Sequence, residues 1–146
     1  MSDAIETVVR DYYASLRAGD RLTPYFLADE STVKFGIGEA LYGYDDVATA
    51  LTEQTETTDA WSVESSNLVV EERDEFATMA DEVTMAWTDT DSGDRHRFET
   101  RWSGTLVERG RTDARENADD GGREDSGVDH PPWAFLSMHV SAPHEL

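Results

Sequence analysis

Histidine 139 is the first side chain to weigh for chemistry, because imidazole titrates near neutral pH. In the segment from Trp133 to Ser141, Leu136, Met138 and Val140 alternate with Phe135, Ser137 and His139. Such alternation makes a strand with one buried face, so the aliphatic set is expected inward and His139 outward. Arg101 and Ser103 of the preceding segment are expected on that same outer side. Tyr12 and Tyr13 form the second candidate, since a phenol can hydrogen-bond a developing enolate oxygen. Both lie in an apolar stripe of helical period, where core packing is the commoner role. Enolate chemistry also needs a carboxylate base within reach, and the inward strand positions offer Thr100, Gly104 and aromatic or aliphatic residues instead. No catalytic residue is assigned. Cysteine is absent, which excludes disulfides, thiolate zinc sites and cysteine nucleophiles. His96, His130 and His144 stand apart from one another, and no H-x₃-H pair, glycine-rich phosphate loop or Ser-His-Asp order occurs. Neither a metal nor a cofactor is expected.

The elements that must position these residues can be read from their periods. Ile5, Val8, Val9, Tyr12, Tyr13 and Leu16 mark one amphipathic helix, with Asp3 and Glu6 at its start and Gly19 after its end. Asp20 and Pro24 announce a short second helix through Tyr25-Phe26-Leu27, and Asp45-Asp46 a third containing Val47, Ala48 and Leu51. Between them Thr32–Ile37 reads as a strand. From Trp61 onward the period is two. One strand is expected from Trp61 to Val70 with a bulge at Ser65-Ser66-Asn67, another from Phe76 to Trp87, and a long one carrying Phe98, Trp102 and Leu106 on one face. The strand from Trp133 to Ser141 closes the set. Between the last two strands, residues 110–130 hold no large apolar side chain except Val128 and include Gly121, Gly122 and Gly127. A segment of that composition buries too little to offset its ordering entropy, so a disordered acidic hairpin insertion is expected.

The chain has 146 residues, the size of one domain over 1–146, with 32 acidic and 12 basic residues and a net charge of −20. That balance argues against nucleic acid and anionic membrane surfaces as partners. No stretch approaches the ~20 apolar residues of a membrane span, and a cytoplasmic location is expected. Eleven of the twelve cations are arginine, and Lys34 is the single lysine. This acidic, lysine-poor composition is of the haloarchaeal type, for in molar salt a Debye length of about 3 Å screens the self-repulsion. Four tryptophans, five tyrosines and five phenylalanines at regular spacings argue for a folded core.

The segment Trp133-Ala-Phe-Leu-Ser-Met-His139-Val-Ser141 resembles the closing W-x₅-H-x-S strand of the nuclear transport factor 2-like superfamily, in its SnoaL-like branch. That branch includes the calcium/calmodulin-dependent protein kinase II association domain. The tyrosine pair, Gly43 and the order of elements agree. The resemblance implies an α+β fold: a cone-shaped, curved antiparallel or mixed sheet wrapped around a long N-terminal helix, with two further short helices. It implies a cavity in the cone and a homodimer through the outer sheet face. Gly104 and Val140 stand where the kinase domain would place the arginines of an anion pocket, so an apolar pocket is expected. Its expected lining is Tyr12, Tyr13, Trp87, Trp102 and Met138. The expected dimer face carries Arg101, Phe135, Ser137 and His139. Two functions follow: a small-molecule-binding or assembly module, or an isomerase, cyclase or hydratase acting on a hydrophobic ketone-like metabolite. The absence of an inward ionisable group favours the first.

Overall fold

The computed structural model describes residues 3–109 and 130–143. The first helix, α1 (Asp3–Ala18), buries the whole expected stripe; Ile5, Val8, Val9, Tyr12, Tyr13 and Leu16 all belong to the core. It ends where Gly19 takes a positive φ of 75°, which lets the Asp20 N–H turn back to the Ser15 carbonyl at 2.9 Å. The short second helix is a single 3₁₀ turn, Thr23–Tyr25, opened by Pro24. β1 (Val33–Gly36) then pairs with β2 (Glu39–Tyr42), and α2 (Tyr44–Thr57) follows Gly43. The remaining strands are β3 (Thr58–Ser65), β4 (Val69–Glu72), β5 (Phe76–Asp89), β6 (Arg95–Glu108) and β7 (Trp133–Ser141).

These strands form one mixed sheet in the order β2-β1-β7-β6-β5-β3, with β4 also paired to β5. All pairings are antiparallel except β1 with β7. The architecture is α+β, with α1 and α2 supplying the helices. On β5 the residues Ala77, Met79, Asp81, Val83 and Met85 are buried in strict alternation, and this inner face packs in one core with α1.

Three expectations change at the level of elements. A hairpin absent from the expected elements follows β1, which pairs with β2 across a turn where Gly38 takes φ 80°. The strand expected through Trp61–Val70 is two strands, because the backbone leaves the ladder at Asn67 and its N–H finds the Asp81 carboxylate at 2.9 Å. The third change is a bulge in β7. Thr105 pairs with Ser137 while Leu106 pairs with Phe135, so Leu136 is the extra residue. It reverses the alternation before Met138. Phe135 is therefore completely buried and Trp133 nearly so, whereas Leu136 is only half-buried. Gly104 permits this, since a Cβ there would stand 2.8 Å from the Ser137 carbonyl oxygen and 3.1 Å from the Phe135 ring. The insertion expected at 110–130 lies, apart from His130, outside the described residues. β6 and β7 remain paired out to Glu108 and Trp133, and the Arg109 N–H donates to the Pro132 carbonyl at 2.8 Å.

Candidate functional site

A cavity of about 170 Å³ lies against α1 and the inner faces of β1, β5, β6 and β7. Tyr12, Trp87, Trp102 and Met138, four of the five expected lining residues, meet there. Helical period brings Tyr12, and strand alternation brings the other three. The Tyr12 ring stands edge-on to Trp102 at 5.9 Å between centroids. The Trp102 indole N–H donates to the Thr100 hydroxyl at 2.9 Å, and that hydroxyl donates to the Val83 carbonyl. At one wall Trp61 stacks on Trp87 at 4.8 Å with planes 20° apart, and Trp87 stacks in turn on Phe98. Trp61 is fixed by its own N–H, which donates to the Thr58 hydroxyl at 2.8 Å. These half-buried rings present a flat shelf.

Tyr13, the fifth expected lining residue, turns away. Its hydroxyl donates to the buried Asp81 carboxylate at 2.8 Å. Asp81 thus holds two donors, one from α1 and one from the break between β3 and β4, and ties three elements together. Burial and that hydrogen bond push the Tyr13 phenol well above its ordinary pKa. Asp81 corrects the expectation that no carboxylate faces inward. The alternation Ala77-x-Met79-x-Asp81-x-Val83 carried that signal in plain view.

Lys34 and Glu39 were also absent from the expected site. Lys34 lines the cavity from β1, its side chain 8% exposed, and donates to Glu39 Oε2 at 2.7 Å. Glu39 comes from the far side of the hairpin turn, and its side chain is 36% exposed. Gly36 makes the approach possible: a Cβ at that position would stand 2.6 Å from Glu39 Oε2. The apolar pattern hides Lys34, because on β1 its neighbours Val33 and Phe35 are the less buried residues. The Tyr12 hydroxyl, 2% exposed, has no hydrogen-bond partner among the described residues. Burial raises the Tyr12 pKa, and the nearby Glu39 charge raises it further. Among the described residues no cluster of His, Asp and Glu could hold a metal ion.

Arg101 and His139 are exposed on the outer face of the sheet and Ser137 is half-buried there, as the alternation places them. Phe135 does not join them, for the bulge at Leu136 turns it into the core. Its ring instead packs against Phe26 and Tyr12 at 5.6 and 5.8 Å.

The model of the SnoaL-like domain family matches residues 5–112. No curated protein matches the chain by sequence. Among solved structures, a protein from Streptomyces avermitilis described as a candidate dehydratase of the NTF2-like family aligns with a TM-score of 0.74 at 11% identity, over 98% of this chain and 96% of that one. An NTF2-like superfamily protein from Salmonella enterica serovar Typhimurium LT2 gives 0.72 at 14%, over 97% and 89%. A candidate calcium/calmodulin dependent protein kinase II association domain from Xanthomonas campestris gives 0.71 at 14%, over 100% and 90%. At such identities the likeness is one of fold.

Proposed function

The chain belongs to the SnoaL-like domain family, and from that premise we propose that it is a small-molecule-binding module whose ligand sits in the chamber beside Tyr12. The sheet is read as a cone around α1, with the chamber at its inner face. One observation carries the reading: the roughly 170 Å³ cavity is walled by Tyr12, Trp61, Trp87, Trp102 and Met138. A dry cavity near 150 Å³ is enough for a benzene-sized guest, and aromatic and thioether walls suit a flat apolar molecule. Arg101, Ser137 and His139 lie on the outer sheet face proposed as a homodimer interface, and the likeness to a candidate association domain is consistent with assembly.

Tryptophan fluorescence titrated with flat apolar compounds tests the chamber, because three indoles line it. Met138→Arg should abolish the quenching by placing an unpaired cation among these walls. If no such compound binds the parent protein, the chamber reading fails. A second reading, an isomerase, cyclase or hydratase acting on a hydrophobic ketone, is favoured by Glu39 and Tyr12 meeting at the same cavity. Exchange of the proton α to a bound ketone, lost in Glu39→Gln, would establish that reading in place of simple binding.

A further inference from the structure

Among the described residues Lys34 is the one cation in the chamber wall, and its partner is unlike it. The ammonium is carried by β1, which is paired on both sides, with β2 and β7, and is almost fully buried. The carboxylate that neutralises it belongs to the hairpin edge and is more than a third exposed. Glu39 reaches Lys34 across Gly36, over backbone without a Cβ to obstruct it. A few torsions of the Glu39 side chain would carry its carboxylate out to water, while Lys34 would stay where it is. Left alone, the buried ammonium would lose both hydration and counter-charge. The pair therefore opens readily only to another anion.

The second observation is the Tyr12 hydroxyl, buried at the cavity with no acceptor among the described residues. Glu39 already gives one carboxylate oxygen to Lys34, yet the tyrosine's proton remains unused. We propose that the Lys34–Glu39 pair is an exchangeable latch, and that the chamber's ligand is a flat aryl carboxylate. One ligand oxygen takes the place of Glu39 Oε2 on Lys34, and the other accepts from Tyr12. The aromatic ring lies among Trp61, Trp87 and Trp102. No bond is made or broken; one carboxylate replaces another, so the charge in the cavity is unchanged. A neutral analogue cannot open the latch, because releasing Glu39 to admit it would strand the ammonium. Selectivity for an acid over its amide thus comes from a contact the protein makes with itself. This inference rests on the chamber reading above.

Isothermal titration calorimetry in molar salt with benzoate and 2-naphthoate, each beside its primary carboxamide, tests the latch. The acids should bind at least about tenfold more tightly than the amides, a charge-assisted contact set against a neutral one. Glu39→Gln removes the internal competitor's charge and should tighten acid binding, while Lys34→Met should erase the preference of acid over amide. Equal affinity of acid and amide for the parent protein, or weaker acid binding by Glu39→Gln, overturns the latch while the chamber stands. Failure of all four compounds to bind removes the chamber and the latch together.

Discussion

At the scale of single residues the two adjacent tyrosines of α1 divide their labour. Tyr12 faces the cavity, and Tyr13 completes the hydrogen bonding of the buried Asp81. Tyr13→Phe removes one of the two donors to that carboxylate, and should destabilise the fold by about 1–3 kcal/mol, the usual cost of a buried polar group losing a partner. Urea titration in high salt measures it. Both phenols have pKa values raised above the ordinary 10.0, chiefly by burial. A raised pKa means that the folded state keeps protons that the unfolded chain releases. Stability is then fully present below pH 10 and falls as pH climbs above it. Melting temperatures followed from pH 8 to 11 should drop at the alkaline end, and more gently in Tyr13→Phe. A profile flat through pH 11 in the parent protein would contradict this linkage.

At the scale of elements, the β7 bulge is the feature with the largest local consequence. Gly104→Ala places a methyl group against the Ser137 carbonyl and the Phe135 ring. Backbone cannot yield as a flexible side-chain tip does, so a loss of about 1–3 kcal/mol is expected, as for other overpacked sites. The β6–β7 ladder runs to Glu108 and Trp133, so replacing residues 110–129 by a short glycine-containing turn should leave the melting temperature within a few degrees. Unfolding of that variant in high salt would show the segment to be structural.

The bulge also explains how much of this molecule could be read beforehand. α1, β5 and β6 announce themselves through long, regular periods, and the alternation from Trp133 to Ser141 spans the whole of β7. Alternation puts Met138 and Val140 inward and His139 outward, where they stand, whereas the bulge turns Phe135 into the core and leaves Leu136 half-buried. A single extra residue shifts the phase and leaves no mark where, as from Trp133 to Leu136, every position is apolar. Lys34 is hidden in the sequence for a related reason. Four residues of β1 are too few to show which face is inner, and its apolar neighbours argued for the wrong one. Asp81 was legible from its place in an alternating run, though its partners come from segments remote in sequence.

At the scale of the whole molecule, charge governs. A net charge of −20 on 146 residues is offset locally by few ion pairs; among the described residues Arg10–Glu6, Arg73–Glu71 and Arg97–Glu99 join close sequence neighbours on the surface. Exposed pairs of this kind contribute roughly 0–1 kcal/mol each. The fold should therefore need screening. Circular dichroism should show a cooperative melt in molar KCl and a clearly lower melting temperature at low ionic strength. Equal melting temperatures in both would refute it. The proposed dimer is tested under the same high-salt conditions, where light scattering should return twice the 16.3 kDa chain mass.

The parallel pairing of β1 with β7 has a bearing on how the chamber comes into being. Val33 sits beside Ser137, and Lys34 beside Met138, so the two sides of the cavity are separated by most of the chain. A ribosome will have released α1, the β1–β2 hairpin and the β5–β6 ribbon well before β7 emerges. Until then the hairpin has no sheet to join, and Lys34 has no cavity to line. Distant pairings of this type are slow to form, so the β1–β7 ladder is expected to close after the β5–β6 ribbon. The cavity can therefore close only once β7 has joined β1, and a small molecule that fits it would favour that step by binding the closed form alone.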